Sequence, residues 1–292
     1  MAIAIGVGRF GDCIRWVDLS VYTALFHDYC TGIMVKVDIS GHKVELYDSI
    51  DDLPIVRFHK YQKLLLVESG VGSDIAAFDN RTEKIRRFLM DGKPDKAIKE
   101  LNNLRQCVFF IQNEMSLQNL SFAVLVNSID GKPCTDLSDD GLKQVCKVFE
   151  TVPNKLLLSL TEKVKKKIDS ELMLYFPSVF NDSSVKEYFD LLKKRTLAVL
   201  ERLSKGLNPE SEEIEKLTTA LITYSNPQTF EGSESAEIQF ERQFENLCLA
   251  MSENLHVKPK EFTVLEFYNA FDFVMSRAKI NEKASRMPQN RR

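Results

Sequence analysis

The stretch Leu53-Pro-Ile-Val-Arg-Phe-His-Lys-Tyr-Gln-Lys-Leu-Leu-Leu-Val67 is where the sequence changes to a helical pattern. Its apolar side chains recur at steps of three and four residues, at Ile55, Phe58, Tyr61 and Leu65. This is the spacing of one face of an α-helix. Pro54 stands where the first turn of a helix tolerates proline. A helix is therefore predicted to begin here and to end at Gly70-Val71-Gly72.

Helical spacing continues from this point to the end of the chain. The clearest apolar stripes lie within residues 97–111, 142–149, 157–172, 240–255 and 265–278. Glycine and proline turn signals separate them. Thr263-x-x-Glu266 predicts a capping box at the start of the last helix, because each side chain can accept a hydrogen bond from the backbone N–H of the other residue.

The residues before this stretch follow a different pattern. Residues 33–39 and 43–47 are two short β-prone runs, and Ser40-Gly41-His42 between them is a tight-turn signal. Together they predict a β-hairpin. Residues 13–29 fit either a helix or a strand. The predicted fold class is mainly α, a multi-helix domain with a short N-terminal β-hairpin element.

Shifts in composition divide the chain into four predicted parts. They are an N-terminal arm with the hairpin (1–52), a helical core domain (53–226), a C-terminal helical region (236–285) and a basic tail (286–292). The longest loop signal, residues 225–235, separates the second part from the third.

Charge and hydropathy exclude some classes of protein. The 292 residues include 39 Lys and Arg against 42 Asp and Glu, a net charge of −3. A non-specific DNA-binding protein usually has a basic excess, so we expect DNA contact only indirectly. No run approaches the roughly 18 apolar residues of a membrane helix. The apolar N-terminus has no basic leader, so we expect a cytosolic protein without membrane contact.

Cysteines and histidines indicate no metal or catalytic site. None of the six cysteines forms a C-x-x-C pair, and the four histidines are scattered. Free thiols in a reducing compartment are the expected state. We expect no enzyme activity, no catalytic residue, no metal and no cofactor.

One motif supports a different hypothesis, a dinucleotide-binding enzyme. Gly6, Gly8 and Gly11 match G-x-G-x-x-G, and Asp38 stands where the motif expects an acidic ribose contact. A Rossmann fold needs further alternating strands and helices, whereas this chain becomes continuously helical after residue 53. A glycine-bearing N-terminal arm is the alternative interpretation.

Charge separation along the chain suggests partner contacts. Residues 210–245 contain nine Glu and two basic residues, whereas residues 277–292 contain six Lys or Arg and one Glu. Head-to-tail association in a ring would bring such patches together on neighbouring subunits. The candidate charged contacts are Glu212, Glu213, Arg277, Lys279, Arg291 and Arg292. Solvated helix ends are the alternative interpretation.

The last helix also contains a wide aromatic band. Phe267, Tyr268 and Phe271 are our candidates from this band for contacts with a partner. Such a band indicates either a helix buried on most sides or one that docks on another chain.

Several segments resemble proteins from the virion-structural gene block of crAss-like tailed phages of gut Bacteroidetes. They are Leu53-Pro-Ile-Val-Arg-Phe-His-Lys-Tyr-Gln-Lys, Val71-Gly-Ser-Asp-Ile, Phe78-Asp-Asn-Arg and Lys93-Pro-Asp-Lys-Ala-Ile-Lys-Glu-Leu with Leu104-Arg-Gln. The match covers mainly residues 53–128. Val264-Leu-Glu-Phe-Tyr-Asn-Ala looks like small phage assembly proteins. None of these motifs is catalytic.

The resemblance implies an architectural function. It implies a head–tail connector, neck or tail ring component that forms a homo-oligomeric ring and contacts portal, neck or tail subunits. Such a protein is assembled in the host cytoplasm and resides in the virion. The alternatives are a phage assembly chaperone absent from the mature particle and the dinucleotide-binding enzyme.

Overall fold

The structure is a computed structural model that describes residues 34–180, 183–208, 211–224 and 226–286. Its strands are β1 (Val35–Ile39), β2 (His42–Leu46), β3 (Val126–Ile129) and β4 (Lys132–Pro133). Its helices are α1 (Ile55–Gly70), α2 (Ile75–Met90), α3 (Pro94–Gln112), α4 (Leu117–Leu125), α5 (Asp139–Val148), α6 (Asn154–Tyr175), α7 (Pro177–Phe180), α8 (Ser183–Ser204), α9 (Glu212–Tyr224), α10 (Ala236–Leu255) and α11 (Val264–Arg286). A 3-10 turn, Pro259–Glu261, precedes α11. The predicted mainly α fold is confirmed.

The predicted β-hairpin is also confirmed. β1 and β2 pair antiparallel, with Ile39 opposite His42. Gly41 in the connecting turn has a φ of 85°, a left-handed conformation that glycine adopts without a steric penalty. The turn follows the sequence signal because two-residue hairpin loops need such positive φ angles.

The hairpin belongs to a four-stranded antiparallel sheet in the order β1-β2-β3-β4. The sequence showed only an apolar run at residues 117–128, whereas the structure divides it between α4 and β3. Asp130 in the β3–β4 turn fixes β2, since its carboxylate accepts a hydrogen bond from Lys43 N at 2.9 Å and lies 2.7 Å from His42 Nδ1. The added strands complete the sheet.

Side-chain caps explain where many helices begin. Side chains accept hydrogen bonds from first-turn backbone N–H groups in α2, α4, α5 and α10, at Asp74, Ser116, Ser138 and Ser235. The predicted capping box of α11 is present. Glu266 N donates to Thr263 Oγ1 at 3.3 Å, and Thr263 N donates to Glu266 Oε2 at 2.9 Å. These bonds satisfy backbone donors that a helix start leaves without partners.

One hydrophobic core connects the sheet with helices from both ends of the chain. Its members include residues of β1, β2, α1, α4, α6, α10 and α11. Backbone hydrogen bonds also join the start of α11 to the segment around α1. Val264 N donates to Leu53 O, and Ile55 N donates to Phe262 O, both at 2.9 Å. The segment predicted as a C-terminal region therefore contributes to the same core as the predicted core domain.

A buried arginine stabilises the junction of α4 and β3. Arg57 on α1 donates to Val124 O at 2.6 Å and to Val126 O at 2.9 Å, and it also donates to Cys134 O. Burial lowers the pKa of Arg57, yet arginine stays protonated in proteins. The carbonyls around it therefore satisfy a permanent charge in the interior.

Within the described ranges, no helix is long and apolar enough to cross a membrane.

Candidate partner-binding surfaces

Helix α8 carries an exposed row of leucines. Its inner side packs on α9, where Arg195 Nε donates to Thr218 Oγ1 at 2.8 Å. On other sides Leu197, Leu200 and Leu203 are each more than half exposed. Side chains three residues apart neighbour one another on a helix surface. These three residues therefore form one surface, the α8 leucine face.

A second exposed apolar row lies on α3. Ile98, Leu101 and Phe109 are each about half exposed, with the exposed Arg105 between them. The opposite side of α3 includes the buried residues Ala97, Glu100, Asn103 and Cys107. We call the exposed row the α3 ridge. It spans twelve residues, and its ends lie about 16 Å apart at a rise of about 1.5 Å per residue.

The last described side chains of α11, in the middle of the helix, combine an aromatic ring with positive charge. Phe273 is 53% and Met275 is 37% exposed. The guanidinium carbon of Arg277 lies 5.4 Å from the centre of the Phe273 ring, within the range of a cation–π contact. We call these three residues the α11 end. Lys279 lies in α11, but its side chain is outside the described set, and Arg291 and Arg292 lie outside the described residues.

The rest of the predicted aromatic band is internal. Phe267 is 2% and Tyr268 is 7% exposed. The Phe267 ring lies 5.8 Å from that of Phe244, and the Tyr268 ring lies 5.4 Å from that of Phe176. Phe271 is half-buried and packs against the core. Phe267 and Tyr268 therefore belong to the core of the chain itself and are not open to a partner, because the first turns of α11 enter the core.

The acidic candidates lie at the start of α9. Glu212 and Glu213 are exposed, and Glu212 pairs with Lys216 at 2.7 Å. Glu215, one turn further, pairs with Arg87 of α2 at 2.7 Å and thereby joins α9 to α2. Because the acidic group stands at a helix N-terminus, the helix dipole adds to the stability of these carboxylates. Their side chains remain accessible to a positive partner.

The described part of the structure does not bring the residues of the dinucleotide hypothesis together into a binding site. Gly6, Gly8 and Gly11 lie outside the described residues. Asp38 accepts a hydrogen bond from Gly41 N at 3.1 Å and so takes part in the β1–β2 turn. The described sheet is antiparallel, whereas a Rossmann fold binds its ligand at a parallel sheet.

One depression of about 470 Å³ lies between the start of α2 and the end of α3. Its lining includes Ile75, Phe110 and Ile111, with Asp74 and Glu114 among the polar groups. Asp74 is already engaged, since it accepts the capping hydrogen bond from Ala77 N at 2.7 Å. In the part of the chain that the structure describes, no group of three His, Cys, Asp or Glu could hold a metal ion.

His59, a largely buried histidine, joins two helices. The ring of His59 on α1 stacks between Phe240 and Phe244 of α10, at centroid distances of 4.5 and 3.9 Å. Its Nε2 lies 2.9 Å from Glu241 Oε2. Burial lowers the pKa of His59, although Glu241 acts in the opposite direction. His59 is thus a packing residue between α1 and α10.

Sequence reasoning missed both exposed apolar rows. It used the apolar residues within 97–111 only as the mark of a helix, which does not show that Ile98 and Leu101 are exposed. The available signal was that α3 and α8 are apolar on more than one side, which a single core contact does not require. The aromatic partners of His59 were not foreseeable, because about 180 residues separate them from it in sequence.

Comparisons of the chain with protein-family models, with curated protein sequences and with solved structures found no match.

Proposed function

We propose that this chain is a structural protein of a tailed-phage virion, a head–tail connector, neck or tail ring component. It acts by binding copies of itself and neighbouring virion proteins such as portal, neck or tail subunits. The single observation that carries the proposal is the exposed apolar surface on α3, α8 and α11 of a chain whose core is already filled. The proposed location in the virion rests on the resemblance of residues 53–128 to virion-structural proteins of crAss-like phages.

Exposed apolar rows of this kind favour protein partners. Burying apolar surface contributes about 25 cal/mol per Å², so a leucine that becomes fully buried contributes about 1.5–3 kcal/mol. Contiguous apolar patches on a soluble chain mark interaction sites. The α3 ridge and the α8 leucine face each offer several such side chains along one helix.

The charged candidates supply a way to close a ring. Glu212 and Glu213 at α9 and Arg277 at the α11 end lie on different elements and have opposite signs. A heterologous contact uses two different patches, and repetition of it closes a ring when the rotation permits. In this proposal the acidic start of α9 in one copy binds the basic α11 end of the next.

Two measurements on particles of the phage that encodes the chain test the proposal. Mass spectrometry of purified virions is expected to find the chain, and cryo-electron microscopy is expected to place it in a closed ring between head and tail. Detection in lysate complexes but not in particles would contradict the structural role and favour the assembly chaperone.

A matched pair of variants tests whether the exposed α3 ridge takes part in assembly. Leu101→Glu places a charge on the α3 ridge and is expected to reduce incorporation into particles. Gln243→Glu adds the same charge at an exposed position on α10 and is expected to leave incorporation unchanged. Equal incorporation of both variants would show that the ridge has no role in assembly.

A further inference from the structure

We propose that the α8 leucine face binds the same face of a second copy, with the two α8 helices antiparallel about a two-fold axis. The inference goes beyond the proposed function, because it concerns pairs of copies and does not depend on a virion. Among the described elements, α8 packs mainly on α9. No described element covers the leucine face, since each of its leucines is more than half exposed.

Four exposed charges along one flank of α8 are self-complementary when the helix is reversed, whereas Lys193 and Arg202 outside this flank are not. Asp190, Lys194, Glu201 and Lys205 are all exposed. Reversal about the midpoint between Leu197 and Ala198 places Asp190 opposite Lys205. The same reversal places Lys194 opposite Glu201, because the members of each pair are equally far from that midpoint. Each charge thus meets one of opposite sign in the second copy.

The four charges also lie together on one side of α8, beside the leucine face. Their spacing of four, seven and four residues keeps them along one flank of the leucine face. In an antiparallel two-fold pair the same flank of both helices meets. A parallel two-fold pair would instead bring this flank of one helix beside the opposite flank of the other, so the four charges would not meet. The pattern therefore favours the antiparallel arrangement.

The existing bonds of these residues do not oppose the contact. Lys205 Nζ pairs with Glu201 Oε1 at 2.6 Å within the chain, and both side chains are more than half exposed. Exposed pairs of this kind contribute little to stability, so they can be shared or exchanged at small cost. Leu197 and Leu200 lie closest to the axis and form the apolar centre of the pair.

The α3 ridge offers no such symmetry. Reversal about the middle of the ridge places Arg105 opposite Asn102, and it places Lys99 opposite Val108. The two-fold contact with a second copy is therefore proposed at α8 and not at the α3 ridge. A two-fold contact closes on itself, so this interface is distinct from the heterologous ring contact.

Charge exchange in the purified full chain tests the inference. Sedimentation velocity measures the dimer dissociation constant of the wild type, Lys194→Glu, Glu201→Lys and the double variant. Each single variant places like charges opposite each other at two symmetry-related points, so we expect at least about tenfold weaker dimers. The double variant restores opposite signs and is expected to return to near the wild-type constant. Lys143→Glu, an exposed reversal on α5, is expected to change nothing.

A second readout does not depend on any larger assembly. Leu197→Cys lies beside the axis, so mild oxidation is expected to give a covalent dimer. Ser170→Cys on α6 and the wild type are expected to give none. A wild type that forms no dimer, or a double variant as weak as the single ones, would overturn the pairing. If these variants and the wild type formed rings but no two-fold dimer, the pairing would be overturned and the proposed function would stay intact.

Discussion

Arg81 and Glu100 form a buried ion pair that joins α2 to α3. Arg81 Nη1 donates to Glu100 Oε2 at 2.5 Å, and both side chains are almost fully buried. Arg81 also donates to Val71 O and to Ser69 O, which lie where α1 ends. One guanidinium therefore connects three helices, and the carboxylate of Glu100 balances its charge.

Removing one partner of this pair is expected to be costly. Glu100→Gln leaves a buried guanidinium without its counter-charge, so we expect the free energy of unfolding to fall by about 3 kcal/mol. Urea denaturation followed by circular dichroism measures this change. The double variant Arg81→Met/Glu100→Leu removes both charges and is expected to recover most of the loss. A fall of under 0.5 kcal/mol (roughly the size of a surface effect) for Glu100→Gln would show that the pair is not needed.

Asp169 on α6 gives the protein a pH dependence. Burial raises the pKa of Asp169 to about 6, against the opposing effect of Lys165. The folded state then binds the proton more tightly than the unfolded state, so stability falls as the pH rises from about 4 to about 6. The loss is complete above the folded-state pKa.

Asp169→Asn removes this titration. The variant is expected to have a higher free energy of unfolding than the wild type. This gain is expected to be about 1–2 kcal/mol larger at pH 8 than at pH 4.5, after allowance for the partial exposure of the carboxylate. Urea denaturation at the two pH values measures the difference. An equal effect of the substitution at both pH values would contradict the raised pKa.

Individual residues were predictable only where local chemistry decides their role. Thr263 follows from the capping-box signal in the neighbouring sequence. The four described cysteines are free thiols, as expected from their spacing. Phe267 and Tyr268 were expected at a partner interface, because the aromatic band does not reveal which of its members enter the core.

The capping box is the clearest link between sequence and an element. Thr263→Ala removes the acceptor for Glu266 N, so we expect the free energy of unfolding to fall by about 1 kcal/mol. Thermal and urea denaturation measure this change. Thr82→Ala is the control, since Thr82 is exposed and donates only to Phe78 O within α2. Equal effects at both positions would show that the cap contributes nothing.

The change from α4 to β3 was not predictable from the sequence. The junction lies within the apolar run of residues 122–126, and a short apolar run does not distinguish a buried helix from a buried strand. Arg57, nearly 70 residues earlier, donates to carbonyls on both sides of the junction. Long-range hydrogen bonds and pairing with β2 therefore select the strand, whereas α1 and the β1–β2 hairpin follow from local spacing.

At the scale of the molecule, sequence patterns indicated the fold class but not how the parts pack. The predicted boundaries follow composition, whereas the core includes side chains from residue 39 to residue 268. Surfaces were harder to predict than the core, because an apolar helix position looks the same whether it faces the interior or a partner. The α3 ridge and the α8 leucine face needed three-dimensional coordinates.

Charge reversal tests the ring contact. Glu212→Lys/Glu213→Lys and Arg277→Glu are each expected to weaken assembly, because like charges would then face each other across the interface. Combining the three substitutions restores opposite signs and is expected to recover assembly. Mass photometry of the purified variants measures the distribution of masses. Unchanged distributions for every variant would show that these side chains do not form the contact.

We propose that the exposed apolar surfaces serve the association of copies of the chain. Sedimentation velocity of the purified wild-type chain over a wide range of concentration measures this association. We predict species at whole multiples of 33.5 kDa that grow with concentration and that Leu101→Glu or Leu200→Glu depletes. A single 33.5 kDa species at every concentration would contradict it.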